Sequence, residues 1–194
     1  MRAIPEIMSG GARRLLALAA GLALLALPGA IASPARAVEV IPAIGLTRAV
    51  GGEGQARLYG SLALRGDVLP LLQTEVAVAY REESRFNDQL KLRMWPVTAS
   101  LWFKPVPAIY AGAGVGWYQV TYDWSSSLAP AIQDETKQQL GVHVGGGLRM
   151  PLAPAATLDL GGRYVMMREQ DARLVPEKFD PDFWTTSIGL AVRF

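Results

Sequence analysis

The stretch Gln139-Leu140-Gly141-Val142-His143-Val144-Gly145-Gly146-Gly147-Leu148-Arg149-Met150 decides the fold. Successive side chains of an extended strand point to opposite faces, so Leu140, Val142, Val144, Leu148 and Met150 share one face. Gln139, Gly141, His143, Gly145, Gly147 and Arg149 share the other. One face is apolar and the other small, polar or charged, a period of two that an amphipathic helix does not produce. The same rule extends outward in both directions. Towards the C-terminus, Trp184, Thr186, Ile188, Leu190, Val192 and Phe194 alternate with Thr185, Ser187, Gly189, Ala191 and Arg193. Between the two stretches, Leu158, Leu160, Tyr164 and Met166 oppose Asp159, Gly161, Arg163, Met167 and Glu169, with Gly162 the one gap in the apolar face. Upstream, Thr74, Val76, Val78 and Tyr80 oppose Gln73, Glu75, Ala77, Ala79 and Arg81, and Leu58, Leu62 and Leu64 oppose Arg57, Tyr59, Ser61 and Arg65.

Residues 38–50 and 109–123 read as strands of weaker polarity contrast. Residues 89–103 form another, with a change of phase expected near Trp95-Pro96, where proline suggests a bulge or bend. Eight strands result. The links Gly66 to Pro70, Lys104 to Pro107 and Pro151 to Ala155 are short and carry proline, whereas 82–88, 124–137 and 170–182 are longer and polar. Only the 51–54 link breaks that alternation. The expected fold is all-β: an eight-stranded antiparallel up-and-down barrel with short turns at one end, together with both termini, and long loops at the other.

The first 37 residues have a different grammar. Arg2, Arg13 and Arg14 precede an apolar run from Leu15 to Leu27, then Pro28 and small residues, the layout of a secretory signal peptide. The run falls short of the roughly 20 residues that a membrane-spanning helix needs. Two cleavage sites fit, Ala30-Ile31-Ala32 and Ala35-Arg36-Ala37, the second being preferred because strand grammar starts just beyond it. Arg13-Arg14 reads as ordinary positive charge of the signal. The expected organisation is thus 1–37 signal peptide and 38–194 barrel. Over its 194 residues the chain is 51% hydrophobic and 19% charged, lacks cysteine and has a formal charge of +2. Disulfide scaffolds and cysteine-ligated metals are excluded, and scattered basic residues give no stripe for nucleic acid.

Alternation alone does not say which face is inside, because a soluble lipocalin-type barrel hides its apolar face. The polar face decides. It is crowded with Gly141, Gly145, Gly147, Gly161 and Gly189 and with isolated charges of both signs, which suits a narrow lumen better than a wet surface. Closure also satisfies every backbone donor and acceptor, as lipid requires. Tyr80, Trp117, Tyr164, Trp184 and Phe194 fit interfacial girdles on the apolar face. A transmembrane barrel is therefore expected, with the soluble barrel as its rival.

The run Met94-Trp95-Pro96-Val97-Thr98-Ala99-Ser100-Leu101-Trp102-Phe103, with Ala108-Ile109-Tyr110-Ala111-Gly112-Ala113-Gly114-Val115-Gly116-Trp117-Tyr118, resembles the central hairpin of the small outer-membrane β-barrels that include the OmpA-like and OmpW-like proteins. Leu190-Ala191-Val192-Arg193-Phe194 is similar to the C-terminal signal of that class, and the resemblance implies that Phe194 is the assembly signal read by the barrel-assembly machinery. It further implies residence in a bacterial outer membrane, contact with membrane lipid and lipopolysaccharide, and a monomer.

A polar lumen network is expected from Arg57, Glu75, His143, Arg149, Asp159, Arg163, Glu169 and Arg193, with Arg65 and Arg81 on the same face. Two readings apply to it: a packed set of ion pairs, or the lining of a narrow conducting path. His143 is the only histidine, so any general-base chemistry must run through it. The lipid A deacylases are also eight-stranded outer-membrane barrels, with a serine two residues after the histidine; the matching position here is Gly145, so the resemblance lacks its nucleophile. Gly112, Gly114 and Gly116 alternate within a strand and read as lumen packing, not a phosphate loop. Asp171, Glu177, Asp180 and Asp182 could meet a divalent cation or divalent-bridged lipopolysaccharide, or simply be solvated. No catalytic, metal or cofactor residue is assigned. The expected function is that of a non-enzymatic integral outer-membrane protein with an envelope or surface-loop role; the alternatives are a narrow channel for small or apolar solutes, a lipid A-modifying enzyme and a soluble ligand-binding barrel.

Overall fold

A computed structural model describes residues 38–50, 56–85, 90–124, 135–167 and 182–194. The expected signal peptide lies outside the described residues. The described residues form eight strands: β1 Val38–Ala49, β2 Arg57–Leu69, β3 Leu72–Arg85, β4 Leu90–Val106, β5 Ile109–Trp124, β6 Glu135–Ala153, β7 Ala156–Met167 and β8 Phe183–Arg193. Each pairs antiparallel with the next, and β1 pairs with β8, so the sheet closes on itself in the expected up-and-down order. Closure removes the unpaired edges that an open sheet would leave.

The three short links are two-residue turns, Pro70-Leu71, Pro107-Ala108 and Pro154-Ala155. Each opens on proline, whose fixed φ suits the first central position of a type I or II turn. Such turns match the twist of a hairpin poorly, and a register shift accompanies each of them, at Asp67/Leu69, Phe103/Val106 and Pro151/Ala153. The amide of Phe194 donates to the carbonyl of Val38 at 3.0 Å, and that of Arg193 to Ala155 at 2.9 Å. The start of β1 and the finish of β8 thus both lie at the turn end.

Faces alternate along every strand as the glycine-rich pattern implies. Glu75, Ala77, Ala79 and Arg81 are buried inside, whereas Leu58 (79% exposed), Ile44 (69%) and Leu140 (67%) point outward. Side chains of that size would be the core of a soluble barrel, so the apolar face is the outer one.

The expected change of phase in β4 does not occur. Leu92, Met94, Pro96, Thr98, Ser100 and Trp102 all face inward, and pairing with β5 runs without a shift from Leu90↔Trp124 to Phe103↔Ala111. Pro96 only interrupts bonding to β3, which resumes in the same register at Val78↔Val97 and Arg81↔Met94. A proline lacks the N–H for the ladder, but the pleat continues through it. The apparent shift arises because the lumen itself turns apolar there: Leu92, Met94, Tyr118, Val120, Val165, Met167 and Phe183 form a buried cluster in the half away from the turns.

Candidate functional site

The lumen is the candidate site, and its charged half lies towards the turns. Arg65 and Glu75 are register partners on β2 and β3, which brings the guanidinium fork onto one carboxylate oxygen: Nε and Nη2 donate to Oε2 of Glu75 at 2.9 and 2.6 Å. Nη1 crosses the lumen to Oδ2 of Asp159 on β7 at 2.7 Å. The other oxygen of Glu75 accepts from Nη2 of Arg163 at 2.5 Å, and the other oxygen of Asp159 from the Tyr110 hydroxyl at 2.6 Å. Arg149 faces Asp159 in register, with its Nε 3.5 Å from Oδ2. Its Nη2 donates to Oε2 of Glu39 at 2.6 Å, and Glu39 also accepts from Nη2 of Arg193 at 3.0 Å. Four arginines and three acids therefore form one connected network from β1 to β8.

The network has two members that sequence reasoning missed. Glu39 stood in a strand of weak contrast, and only its register with Arg193 reveals its role. Tyr110 belongs to a run read for its glycines. Of the expected members, Glu75, Arg149, Asp159, Arg163 and Arg193 are brought together. Arg57 is half-buried on the inner face of β2, away from these ion pairs. Arg81 lies deeper in the other half, its guanidinium 3.7 Å from the centre of the Phe183 ring. Glu169 lies outside the described residues.

His143 is fully buried, and its Nε2 lies 2.9 Å from the Ser100 hydroxyl. The contact skips a strand. Ser100 on β4 pairs with Gly114 on β5, which pairs with His143 on β6. A Cβ on Gly114 would come within 2.6 Å of the imidazole, so the glycine leaves the gap that the contact crosses. Glycine makes room in the same way beneath Tyr118, which lies over Gly116 and Gly141. The glycines of β5 are lumen packing, as their alternation implied. Sequence reasoning looked for a serine two residues after His143 and missed Ser100, which lies 43 positions upstream.

Packing leaves little open space among these groups. A cavity of about 20 Å³ lies between Arg65, Glu75, Trp102, Tyr110, Asp159 and Arg163, more than the roughly 10–15 Å³ that one water occupies but far less than a water column.

On the outer face, Tyr80 and Trp95 pack with ring centres 4.7 Å apart, and Tyr164 and Trp184 at 4.6 Å. With Trp117 they lie in the half of the barrel away from the turns, while Phe103 and Phe194 lie near the turn end. Between the two levels the outer face is carried by Val, Leu and Ile, among them Leu62, Val78, Leu101, Val115, Val142, Val144 and Ile188.

No protein-family model and no curated protein sequence matches the chain. Solved structures do. Neisserial surface protein A superposes with a TM-score of 0.62 at 16% identity, covering 82% of this chain and 97% of that one. The fold is that of the small outer-membrane β-barrels. Ail, the attachment invasion locus protein of Yersinia pestis, gives a TM-score of 0.55 at 14% identity, over 82% of this chain and 99% of its own. The outer-membrane protein OprG from Pseudomonas aeruginosa gives 0.51 at 12% identity, over 82% and 95%. These likenesses bear out the barrel fold implied by the OmpA-like and OmpW-like resemblance. They span nearly the whole of each solved barrel, so the match is to the architecture and not to one hairpin.

Asp182, placed at sequence level among possible cation or lipopolysaccharide contacts, is used by the fold instead. Its carboxylate accepts from the Tyr164 hydroxyl at 2.8 Å and from the Met167 amide at 2.9 Å, and its carbonyl accepts from the Val50 amide at 2.9 Å. One residue thus ties β1, β7 and β8 together at the end away from the turns. Asp182→Ala is expected to lose about 1–3 kcal/mol, since a backbone donor and a phenol lose their acceptor. Urea titration of the folded protein in lipid vesicles measures the loss. Asp171, Glu177 and Asp180 lie outside the described residues.

Proposed function

We propose that the protein is an integral, non-enzymatic component of a bacterial outer membrane, a sealed barrel that anchors its links in the outer leaflet and serves the envelope or a surface contact. The observation that carries this reading is the pairing of a continuous apolar outer wall with a charged lumen filled by ion pairs. Soluble monomers rarely expose an apolar patch beyond a few hundred Å². A bilayer, in contrast, requires such a band, flanked by aromatic rings at its two interfaces. Membrane lipid and lipopolysaccharide are the partners this wall fits, with the turn end towards the periplasm and the opposite end of the barrel towards the cell surface. The exposure of Phe194 at the turn end, 79%, supports its reading as an assembly signal.

The channel reading is disfavoured by the lumen. Arg65, Glu75 and Asp159 block one half, and the cluster from Leu92 to Phe183 fills the other with apolar side chains. Purified protein in planar bilayers is expected to stay electrically silent at ordinary voltages; well-defined conductance steps would replace the anchor reading with the channel.

The enzyme reading gains a serine from Ser100 but finds no orienting acid among the described residues. Nδ1 of His143 has no hydrogen-bond partner among the described residues, and the imidazole is sealed from substrate. Lipid A should be identical in cells with and without the protein.

A further inference from the structure

We propose that the turn end is sunk into the lipid leaflet that faces the periplasm, with the tips of its three hairpins in contact with phospholipid and not with periplasmic water. The inference rests on the membrane reading above and sets the depth of the barrel. Turns that face water are usually built from Gly, Asn, Asp and Ser. Those of this chain are Leu69-Pro70-Leu71, Val106-Pro107-Ala108 and Leu152-Ala153-Pro154-Ala155. Leu69, Leu71, Val106 and Leu152 are all exposed. Between the level of Trp117, Tyr164 and Trp184 and these tips, the polar side chains that face outward among the described residues are Thr74 and Thr186, and none is charged. The charges of the turn end face the mouth of the lumen instead, where Lys104 pairs with Asp67 at 3.1 Å and Arg193 with Glu39 at 3.0 Å.

The turn backbone is also made independent of water. A proline at the first turn position has no N–H to satisfy. The carbonyl of the residue after it is tied in each case to the next strand of the sheet: Leu71 accepts from the Lys104 amide at 2.8 Å, Ala108 from that of Arg149 at 2.8 Å and Ala155 from that of Arg193 at 2.9 Å. Lipid demands such internal pairing of backbone groups, and bulk water does not. Length agrees with this depth. The runs from Tyr80 to Leu71, Tyr164 to Ala155 and Trp184 to Phe194 are each about ten residues, and a tilted strand uses roughly 9–11 to cross a membrane. Crossing from the aromatic level therefore consumes each strand down to its end, and nothing is left to project.

The chain has no cysteine, so Leu71→Cys, Leu152→Cys and Val144→Cys can each carry a single environment-sensitive fluorophore. The full chain is folded in phosphatidylcholine nanodiscs, in which both ends of the barrel meet the buffer. Labels at Leu71 and Leu152 should lose emission to lipids that carry a nitroxide near the top of the acyl chain, and keep it in iodide. The label at Val144, in mid-wall, should lose emission to a nitroxide deep in the chain. Iodide quenching at the tips, with Val144 still quenched from the lipid, overturns the proposal, gives the tips to water or a periplasmic protein, and leaves the membrane reading standing. Iodide quenching at all three positions removes the membrane reading as well. Leu71 and Leu152 lie on different hairpins, so if one variant fails to fold the other decides.

Discussion

Glu75→Ala is expected to destabilise the barrel by about 3–5 kcal/mol, more than any other single change in the lumen. The carboxylate accepts from Arg65 twice and from Arg163 once, and its side chain is 1% exposed. Removing it leaves two guanidinium groups in the lumen without that counter-charge, and the loss comes from their desolvation more than from the bonds themselves. Glu75→Gln keeps the shape and one acceptor oxygen, so it separates charge from packing and should lose nearly as much. The measurement is urea unfolding in lipid vesicles, followed by tryptophan emission and extrapolated linearly to water. A loss under about 1 kcal/mol would mean that water reaches these ions, as at exposed surface pairs.

Val144→Arg on β6 should lose about 2–4 kcal/mol in a bilayer, the cost of a cation on the lipid face near mid-depth. Val144 lies midway along its strand, pairs with Ala113 and Tyr164, and is 45% exposed on the outer wall. In water an exposed Val→Arg change on a strand is nearly neutral, within about 0.5 kcal/mol. The variant thus distinguishes a lipid-facing wall from a soluble one by the sign and size of one number. It should be read by the same unfolding assay.

The elements that could be read from the sequence were those whose two faces differ in polarity. In β6 and β8 the glycine, polar and charged residues alternate with large apolar ones, and the inner face was identified correctly from that contrast alone. β4 misled because alternation was read as polarity. Where Leu92 and Met94 face an apolar lumen beside Trp95 on an apolar wall, both faces look alike, and a phase change was inferred that the pairing lacks. Glu39 was missed for a related reason: from Val38 to Leu46 it is the one charged residue among small and apolar ones, and its meaning depends on the closing pairing of β1 with β8.

Within the site, legibility followed distance along the sheet. Arg65 and Glu75 lie 10 residues apart across a single hairpin, and a strand reading alone puts them on one face. Arg65 and Asp159, 94 residues apart, meet only because the barrel is narrow enough for one arginine to cross it. Ser100 and His143 meet only because glycine occupies the strand between them. Such contacts depend on curvature and side-chain reach, which a one-dimensional pattern does not encode. The outer-face aromatics were readable as a set, since Trp117, Tyr164 and Trp184 share the apolar parity of their strands. Their pairing into Tyr80–Trp95 and Tyr164–Trp184 required the register.

A closed barrel held in an outer membrane is recognised most directly by the gel mobility of the protein recovered from an outer-membrane fraction, boiled against unboiled in detergent. The unboiled protein should keep its closed, ion-paired barrel and migrate as a distinct band that boiling converts to the unfolded position. Recovery in the soluble periplasmic extract, with one band before and after boiling, would contradict it.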